Sequence, residues 1–300
     1  MNIFVTGATG FIGSNFLEEA LKKGFNVTAL KNKIDSKTAI KLSDQPKWLV
    51  SSLKDLEVSY LKGIDIVVHF ASAGVSPKEE NLEDLFKTNV VDSFELIKKA
   101  NNAGCKRIIV SGSAFEYGYS ADLFDNIPFN APLIPLNNYG ISKAAGFYKL
   151  FSFSLNHSIE LYYSRIFSVY GHGQHHNNFW PSLYHAATTN KNFKMTSGNQ
   201  IRDFISIEKV IKQLINACLR EDIYSFSPLV ENIGSGNGIS LRNFAEIEWK
   251  RLSAKGRILF GEIENRENEI QRLVALIDKN NRNSFNLERK IISNLGFKFL

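Results

Sequence analysis

The pentapeptide YGISK sets Tyr139 and Lys143 four residues apart at the start of a helical pattern, so both side chains project from one helix face. A phenol with a pKa of ~10 is a poor acid–base group at neutral pH, but a neighbouring ammonium stabilises the phenolate and brings proton exchange within range. Upstream, an apolar run closes in VSGSAFEYG, which offers the hydroxyls of Ser111 and Ser113. At the other end of the chain, GATGFIG spaces Gly7, Gly10 and Gly13 as G-x-x-G-x-x-G. Glycines so placed let backbone turn tightly, approach a pyrophosphate and present free N–H groups at a helix N-terminus. A dinucleotide loop combined with a Tyr–Lys pair points to proton and hydride exchange at an alcohol or ketone.

Such groups need a scaffold that brings distant segments together. Short Ile/Val-rich runs (NIFVTG, NVTALK, DIVVHFA, RIIVSGS, IELYYSRIF) alternate with helical stretches (GSNFLEEALKKG, NLEDLFKTNVVDSFELIKKANNAG, YGISKAAGFYKLFSFSLN). Apolar strands separated by helices predict an α/β fold, a doubly wound parallel sheet covered on both faces. The expected division is a dinucleotide-binding Rossmann domain over 1–168 and a smaller, mainly substrate-binding C-terminal lobe over 169–300. A later strand near 228–235 (PLVENIGSG) is expected to return to the main sheet.

With 300 residues, 44% hydrophobic and 22% charged, the composition is that of a soluble globular chain. The net charge of +6 comes from scattered lysines and no aromatic spacing repeats, so neither nucleic acid nor a membrane is an expected partner. No segment approaches the roughly 20 apolar residues of a membrane span, and the first residues enter a strand at once, which suggests the cytoplasm. Cys105 and Cys218 stand far apart and read as reduced thiols. His172, His175 and His176 cluster in GHGQHHNN without an obvious fourth ligand, so this stretch reads as a loop over the substrate and no metal is expected. After the second strand, where NAD enzymes place an Asp or Glu on the ribose 2′-hydroxyl, TALKNK offers Lys31 and Lys33. Cations there suit a 2′-phosphate, so NADP (NADPH) is favoured, with NAD the alternative.

The chain resembles the extended short-chain dehydrogenase/reductases of the NAD-dependent epimerase/dehydratase family, in particular the CDP-abequose synthase-like NDP-4-keto-6-deoxyhexose 4-reductases. TGATGFIGS, VVHFAS, NVVDS, YGISK, RIFSVYG, QIRDFISIEKV and ENIGSG carry the resemblance in order over nearly the whole chain. It implies Tyr139 as the acid/base, Lys143 as the group that orients cofactor and tunes Tyr139, and Ser113 as the hydroxyl on the substrate oxygen. It implies cofactor contacts from Gly7, Thr9, Gly10, Phe11, Ile12 and Gly13, and from Lys31 at the ribose. Phe70, Ala71, Ser72, Asn89 and Ile166 complete that set with Tyr139 and Lys143. Substrate contacts are implied for Ser113, Ser168, Phe179, Arg202 and Arg266. Two guanidiniums suit a diphosphate, since each forms paired charge-assisted bonds; the alternative is ion pairing with a neighbour such as Asp203 or Glu264. Two departures stand out: Ser168 where many relatives have Asn, and Ser52 near the place of an Asp that contacts adenine. The resemblance also implies a homodimer, formed through the DLFKTNVVDSFELI helix and the helix beginning at Tyr139, and a place in polysaccharide or O-antigen precursor synthesis.

The residues after Ser113 discriminate between reactions. Family members that eliminate water carry Asp and Glu directly after the catalytic hydroxyl, because elimination needs one acid and one base. Ala114 and Phe115 transfer no protons, and Glu116 comes one position late, as a structural carboxylate expected to face away from substrate. The expected activity is therefore NADPH-dependent reduction of a nucleotide-linked 4-keto-6-deoxysugar. The alternatives are a nucleotide-sugar 4-epimerase or 4-dehydrogenase with bound NAD, and a catalytically silent cofactor-binding scaffold.

Overall fold

The computed structural model describes residues 1–75, 81–265 and 269–277. β1 (Asn2–Thr6) feeds the glycine loop and α1 (Phe11–Lys22), followed by β2 (Asn26–Lys31), β3 (Lys47–Val50) and β4 (Ile66–His69). The single helix expected over NLEDLFKTNVVDSFELIKKANNAG is divided into α2 (Leu82–Phe86), a π-helical stretch Lys87–Asp92 and α3 (Ser93–Asn102). β5 (Arg107–Ser113) ends in a short 3-10 turn, Ala114–Glu116, and a long loop leads to α4 (Asn138–Asn156) and β6 (Glu160–Ile166). Beyond come β7 (Ser168–Tyr170), α5 (Phe179–Thr188), β8 (Phe193–Met195), β9 (Ile201–Ser206) and α6 (Ile207–Leu219). β10 (Leu229–Ile233), β11 (Gly238–Ser240), α7 (Leu241–Arg251), β12 (Ile258–Phe260) and β13 (Arg272–Leu273) complete the described chain.

Seven strands form one parallel sheet in the order β10-β6-β5-β4-β1-β2-β3. The order reverses between β1 and β4, and in such sheets the crevice outside the strand C-termini at that point is where ligands bind. Successive side chains of β1 go to opposite faces: Ile3 and Val5 join one core cluster, Phe4 the other. On the first face α1 contributes Phe16, Leu17 and Ala20, and α6 contributes Ile207, Val210, Ile211, Leu214 and Ile215, the apolar stripe of a 3.6-residue period. On the second face α3 and α4 bring Leu96, Ile97, Phe147 and Leu150. Each fully buried Phe or Leu of this kind contributes roughly 1.5–3 kcal/mol relative to exposure. β3 has no counterpart in the sequence reading, because its four residues lie at a half-exposed edge and carry no apolar alternation.

β9 pairs with β7, β11 and β13 to make a second sheet, and β8 pairs with β12. Asp203 ties the two sheets together. It is fully buried and accepts from the N–H groups of Ser235 (2.6 Å) and Gly236 (2.9 Å) after β10, and from that of Ala275 (3.1 Å) after β13. Charge-assisted bonds from three backbone donors compensate for burying the carboxylate. Among the described residues no helix is long and apolar enough to cross a membrane.

Candidate active site

The glycine loop closes at the C-terminal end of β1. Gly7 has φ +64°, and a Cβ there would lie 2.5 Å from both the Phe70 carbonyl carbon and the Ala71 nitrogen. A Cβ on Gly13 would collide with the Gly7 carbonyl oxygen, so α1 comes this close to the loop only with glycine. Gly10 has ordinary extended backbone (φ −76°) and donates its N–H to the Gly7 carbonyl at 3.0 Å. The loop forms one wall of a cavity of about 500 Å³, together with Thr9, Phe11 and Ile12. Phe70, Ala71 and Ser72 after β4 form a second wall, and Tyr139 and Lys143 a third. Lys31 at the end of β2, Asn32 and Ser36 after it, and Ser52, Leu53 and Lys54 after β3 line the far end. A glycine cradle at a helix N-terminus, opening on a long cleft at the switch point, fits a dinucleotide.

Asn137 starts α4 by accepting the Gly140 N–H at 2.7 Å, which fixes Tyr139 and Lys143 in the first two turns. The Lys143 ammonium is buried and donates to the Ser111 carbonyl at 2.7 Å. Burial lowers its pKa from the ordinary lysine value, and the Glu116 carboxylate opposes that shift. Burial pushes the Tyr139 phenol up to about 12, against the opposing pull of the Ser113 and Ser72 hydroxyls. At neutral pH Tyr139 therefore holds its proton, the state of a donor. The structure brings Ser113, Tyr139 and Lys143 together, and Ser111 serves through its carbonyl.

The π-helical stretch turns Asn89 inward. Its Oδ1 accepts from the Ala73 N–H (2.8 Å) and the Ser72 hydroxyl (2.9 Å), while its Nδ2 donates to the Ala73 carbonyl (3.1 Å) and to Ser142 (2.9 Å). π-bulges recur at functional sites because they re-aim one side chain; here Asn89 fastens the Ser72–Ala73 backbone to α4. Asn89 is 5% exposed and stands behind the cavity wall that Ser72 forms. Ile166 is 7% exposed, packs in the core and is the partner of Ser113 in the β5–β6 register.

His69, at the end of β4, lies 2.7 Å from the Thr6 hydroxyl through Nδ1 and 2.8 Å from that of Ser93 through Nε2. Ser93 gives its own proton to the Thr88 carbonyl (2.8 Å), so His69 donates from Nε2 and accepts at Nδ1. Burial, reinforced by the charge of Lys143, holds its pKa down to about 3, and the ring is neutral.

Glu116 does face away from the cavity, in a 3-10 turn rather than a strand. It is fully buried and paired with Arg165 at 2.7 Å. Sequence reasoning overlooked Arg165, although a cation inside the apolar run LYYSRIF signals a buried partner. Lys54 was overlooked as well; a lone lysine in a loop gives no local signal.

The expected substrate residues lie around the second sheet. Ser168 pairs in register with Phe204 and is half-buried. Phe179 packs among Phe193 (6.1 Å), Phe204 (6.2 Å) and Phe244 (6.3 Å), the contacts of a lobe anchor. Arg202 pairs with neither Asp203 nor Glu264; its guanidinium meets Glu269 at 3.0 Å. Arg266 lies outside the described residues. Lys31 donates to the Ile34 carbonyl at 2.6 Å, with its ammonium 5.2 Å from the Trp48 ring, while Lys33 is exposed. His175 and His176 stack on each other (4.4 Å), and among the described residues no cluster of His, Cys, Asp and Glu is placed to hold a metal.

Comparison with known proteins decides the family, for residues 3–224 match the NAD dependent epimerase/dehydratase family. The chain belongs to it. It is 27% identical over 295 residues to CDP-abequose synthase of Salmonella typhimurium, covering 94% of this chain and 90% of that protein. It is 26% identical over 251 residues to dTDP-6-deoxy-L-talose 4-dehydrogenase (NAD(+)) of Aggregatibacter actinomycetemcomitans, covering 82% and 88%. Among solved structures, MoeE5 in complex with UDP-glucuronic acid and NAD superposes with a TM-score of 0.79 at 25% identity, covering 100% of this chain and 94% of that one. The NAD dependent-NDP-hexosamine 5,6-dehydratase TunA superposes with a TM-score of 0.80 at 26% identity, covering 92% and 88%. The relatives and structural neighbours of this chain thus differ in chemistry, and the choice among them rests on its own side chains.

Proposed function

We propose that this family member reduces the 4-keto group of a nucleotide-linked 4-keto-6-deoxysugar with NADPH. The observation that carries the reading is the set of side chains around Ser113. Tyr139 stands beside it as a proton source, and Ala114 and Phe115 offer neither the acid nor the base of an elimination. A bound nicotinamide supplies the hydride. Tyr139 gives its proton to the O4 oxygen as that oxygen gains charge, Ser113 steadies the same oxygen, and Lys143 supports the electrostatics of the phenol. A neutral Tyr139 is the form a reductase needs before turnover.

For the cofactor, Lys31 and Lys54 line the cavity together with Ser36 and Ser52, and among the described residues the one carboxylate in that lining is Asp92 of the π-helical stretch. Cations with hydroxyls suit a 2′-phosphate better than the two hydroxyls of an unphosphorylated ribose. Arg202, joined by Arg266, is assigned to the diphosphate of the sugar nucleotide, which replaces Glu269 as the partner of Arg202. In this reading the enzyme works in the cytoplasm on precursors of cell-surface polysaccharide. It pairs as a homodimer through the helix carrying DLFKTNVVDSFELI and α4, where Val91 of the π-helical stretch and Tyr148 of α4 are exposed.

A 4-epimerase or 4-dehydrogenase with bound NAD is the second reading, favoured by the commitment of the Lys31 ammonium to the Ile34 carbonyl. The test is to mix the protein with CDP- and dTDP-4-keto-6-deoxyglucose and either NADPH or NADH, and to follow reduced-nicotinamide absorbance. Stoichiometric oxidation, faster with NADPH, supports the reductase. No oxidation with either cofactor overturns it for these sugars, and tightly co-purified NAD turns the choice to the second reading.

A further inference from the structure

The carboxylate of Glu116 is fully buried three residues after Ser113, and its partners are Ser113, Tyr163 and Arg165. Its Oε1 accepts the Ser113 N–H at 2.8 Å and the Tyr163 hydroxyl at 2.8 Å, while Oε2 accepts from Arg165 Nε at 2.7 Å. Arg165 is itself 2% exposed and donates onward to the Phe129 carbonyl at 2.8 Å. Its guanidinium carbon stands 4.3 Å from the Phe147 ring, on the helix that bears Lys143. Gly112 leaves the room this needs: a Cβ there would meet the Tyr163 ring and lie 2.7 Å from Glu116 Oε1. A buried ion pair adds little stability compared with apolar groups of the same volume, so stability alone gives weak reason for one here.

The turn also engages Ser113. The Phe115 N–H donates to Ser113 Oγ at 3.3 Å, and Glu116 closes the reciprocal bond to the Ser113 backbone. The Phe115 N–H takes one of the two Oγ lone pairs, so the hydroxyl proton and the second lone pair remain for Tyr139 and a substrate oxygen. We propose that Glu116, locked by Arg165 and Tyr163, is a positioning residue that fixes the Ser113 turn at the end of β5 and sets the field at the Tyr139–Lys143 pair. The role in turnover rests on the reductase reading; the field at Lys143 does not. The titratable groups around Lys143 are Tyr139 on its own helix, His69 from β4, Asp92 of the π-helical stretch in the same cavity lining, and Glu116 from the turn after β5, with Arg165 and Tyr163 of β6 bonded to Glu116. Among them Glu116 favours the lysine charge and opposes the effect of burial.

Two variants and two readouts test this. Glu116→Gln keeps the acceptor for Ser113 but strands Arg165. The double variant Glu116→Val with Arg165→Met removes the pair as a unit and keeps the protein foldable if the single one is not. With CDP-4-keto-6-deoxyglucose and NADPH, the expected result is a fall in kcat of tenfold or more with KM for the sugar within threefold. In carbon-13 lysine-labelled protein without substrate, with the Lys143 resonance assigned through Lys143→Arg, Lys143 is expected to titrate at lower pH in Glu116→Gln than in the wild type. A folded variant with kcat within twofold of wild type and an unmoved Lys143 titration overturns the proposal, and so does a loss confined to KM. Wild-type protein that oxidises no NADPH overturns the reductase reading alone, because the lysine titration still reads the effect of Glu116.

Discussion

Alanine at Gly7 and alanine at Gly10 should damage the protein in opposite ways. At Gly7 the backbone is left-handed, φ +64°, which costs an L-residue about 1–2 kcal/mol. The new Cβ also lies 2.5 Å from backbone atoms of Phe70 and Ala71, where no side chain can turn aside, and overpacking of that kind costs about 1–3 kcal/mol. Together these give about 2–5 kcal/mol. At about 2 °C per kcal/mol for a chain of this size, the expected fall in Tm is about 4–10 °C. At Gly10 the backbone is unstrained, and the single close neighbour of a Cβ is the Gly7 carbonyl oxygen at 3.3 Å. That Cβ projects into the cavity wall, so Gly10→Ala should hold Tm within about 1–2 °C, as for a surface substitution, while weakening NADPH binding about tenfold or more, some 1.4 kcal/mol. Calorimetric melts and isothermal titration with NADPH read the two effects separately. The reasoning is refuted if Gly10→Ala loses as many degrees as Gly7→Ala, or if it binds NADPH as tightly as the wild type.

Tyr139→Phe should cut kcat by about 10²–10⁴, the usual worth of a positioned proton donor, with the NADPH dissociation constant within threefold in a fluorescence titration. Lys31→Ala with Lys54→Ala should lower the ratio of NADPH to NADH efficiency at least tenfold, read as kcat/KM for each cofactor; an unchanged ratio sends the 2′-phosphate elsewhere. His69 predicts an acid sensitivity: the unfolded imidazole takes up a proton below pH ~6.5, whereas the folded one stays neutral down to about 3. The associated stability is therefore present above pH ~6.5 and lost at about 1.4 kcal/mol per pH unit as pH falls toward the folded value. His69→Gln should flatten the slope of Tm against pH between pH 6.5 and 4, and a slope equal to that of the wild type would assign the acid sensitivity to other groups.

Much of the scaffold was legible in local pattern. Ile/Val runs and helix periodicity placed six of the seven strands of the parallel sheet, β10 among them through PLVENIGSG, because a strand buried on both faces must be apolar throughout. β3 escaped because a half-exposed edge strand obeys no such constraint. The spacing of Gly7, Gly10 and Gly13 and of Tyr139 and Lys143 likewise announces its own geometry, since each motif lies within one turn or one helix. The end of the apolar run RIIV pointed to Ser111 and Ser113 together, and only the resemblance favoured Ser113.

The amino-acid sequence by itself determined the elements and the chemistry that each carries within a few residues: the cradle, the tyrosine–lysine face, and the absence of proton-transferring groups at Ala114 and Phe115. Tertiary structure decided which distant groups share a charge or a hydrogen bond. It set Arg165 on Glu116, Glu269 on Arg202, and Lys54 in the same cavity wall as Lys31. It also turned Asn89 toward Ser72 and Ser142 through a π-helical stretch that a helical pattern does not distinguish from α. The physical reason is range. Backbone conformation follows from neighbours a few residues away, whereas a buried charge is placed by whichever partner the packed sheet brings to it, from anywhere along the chain.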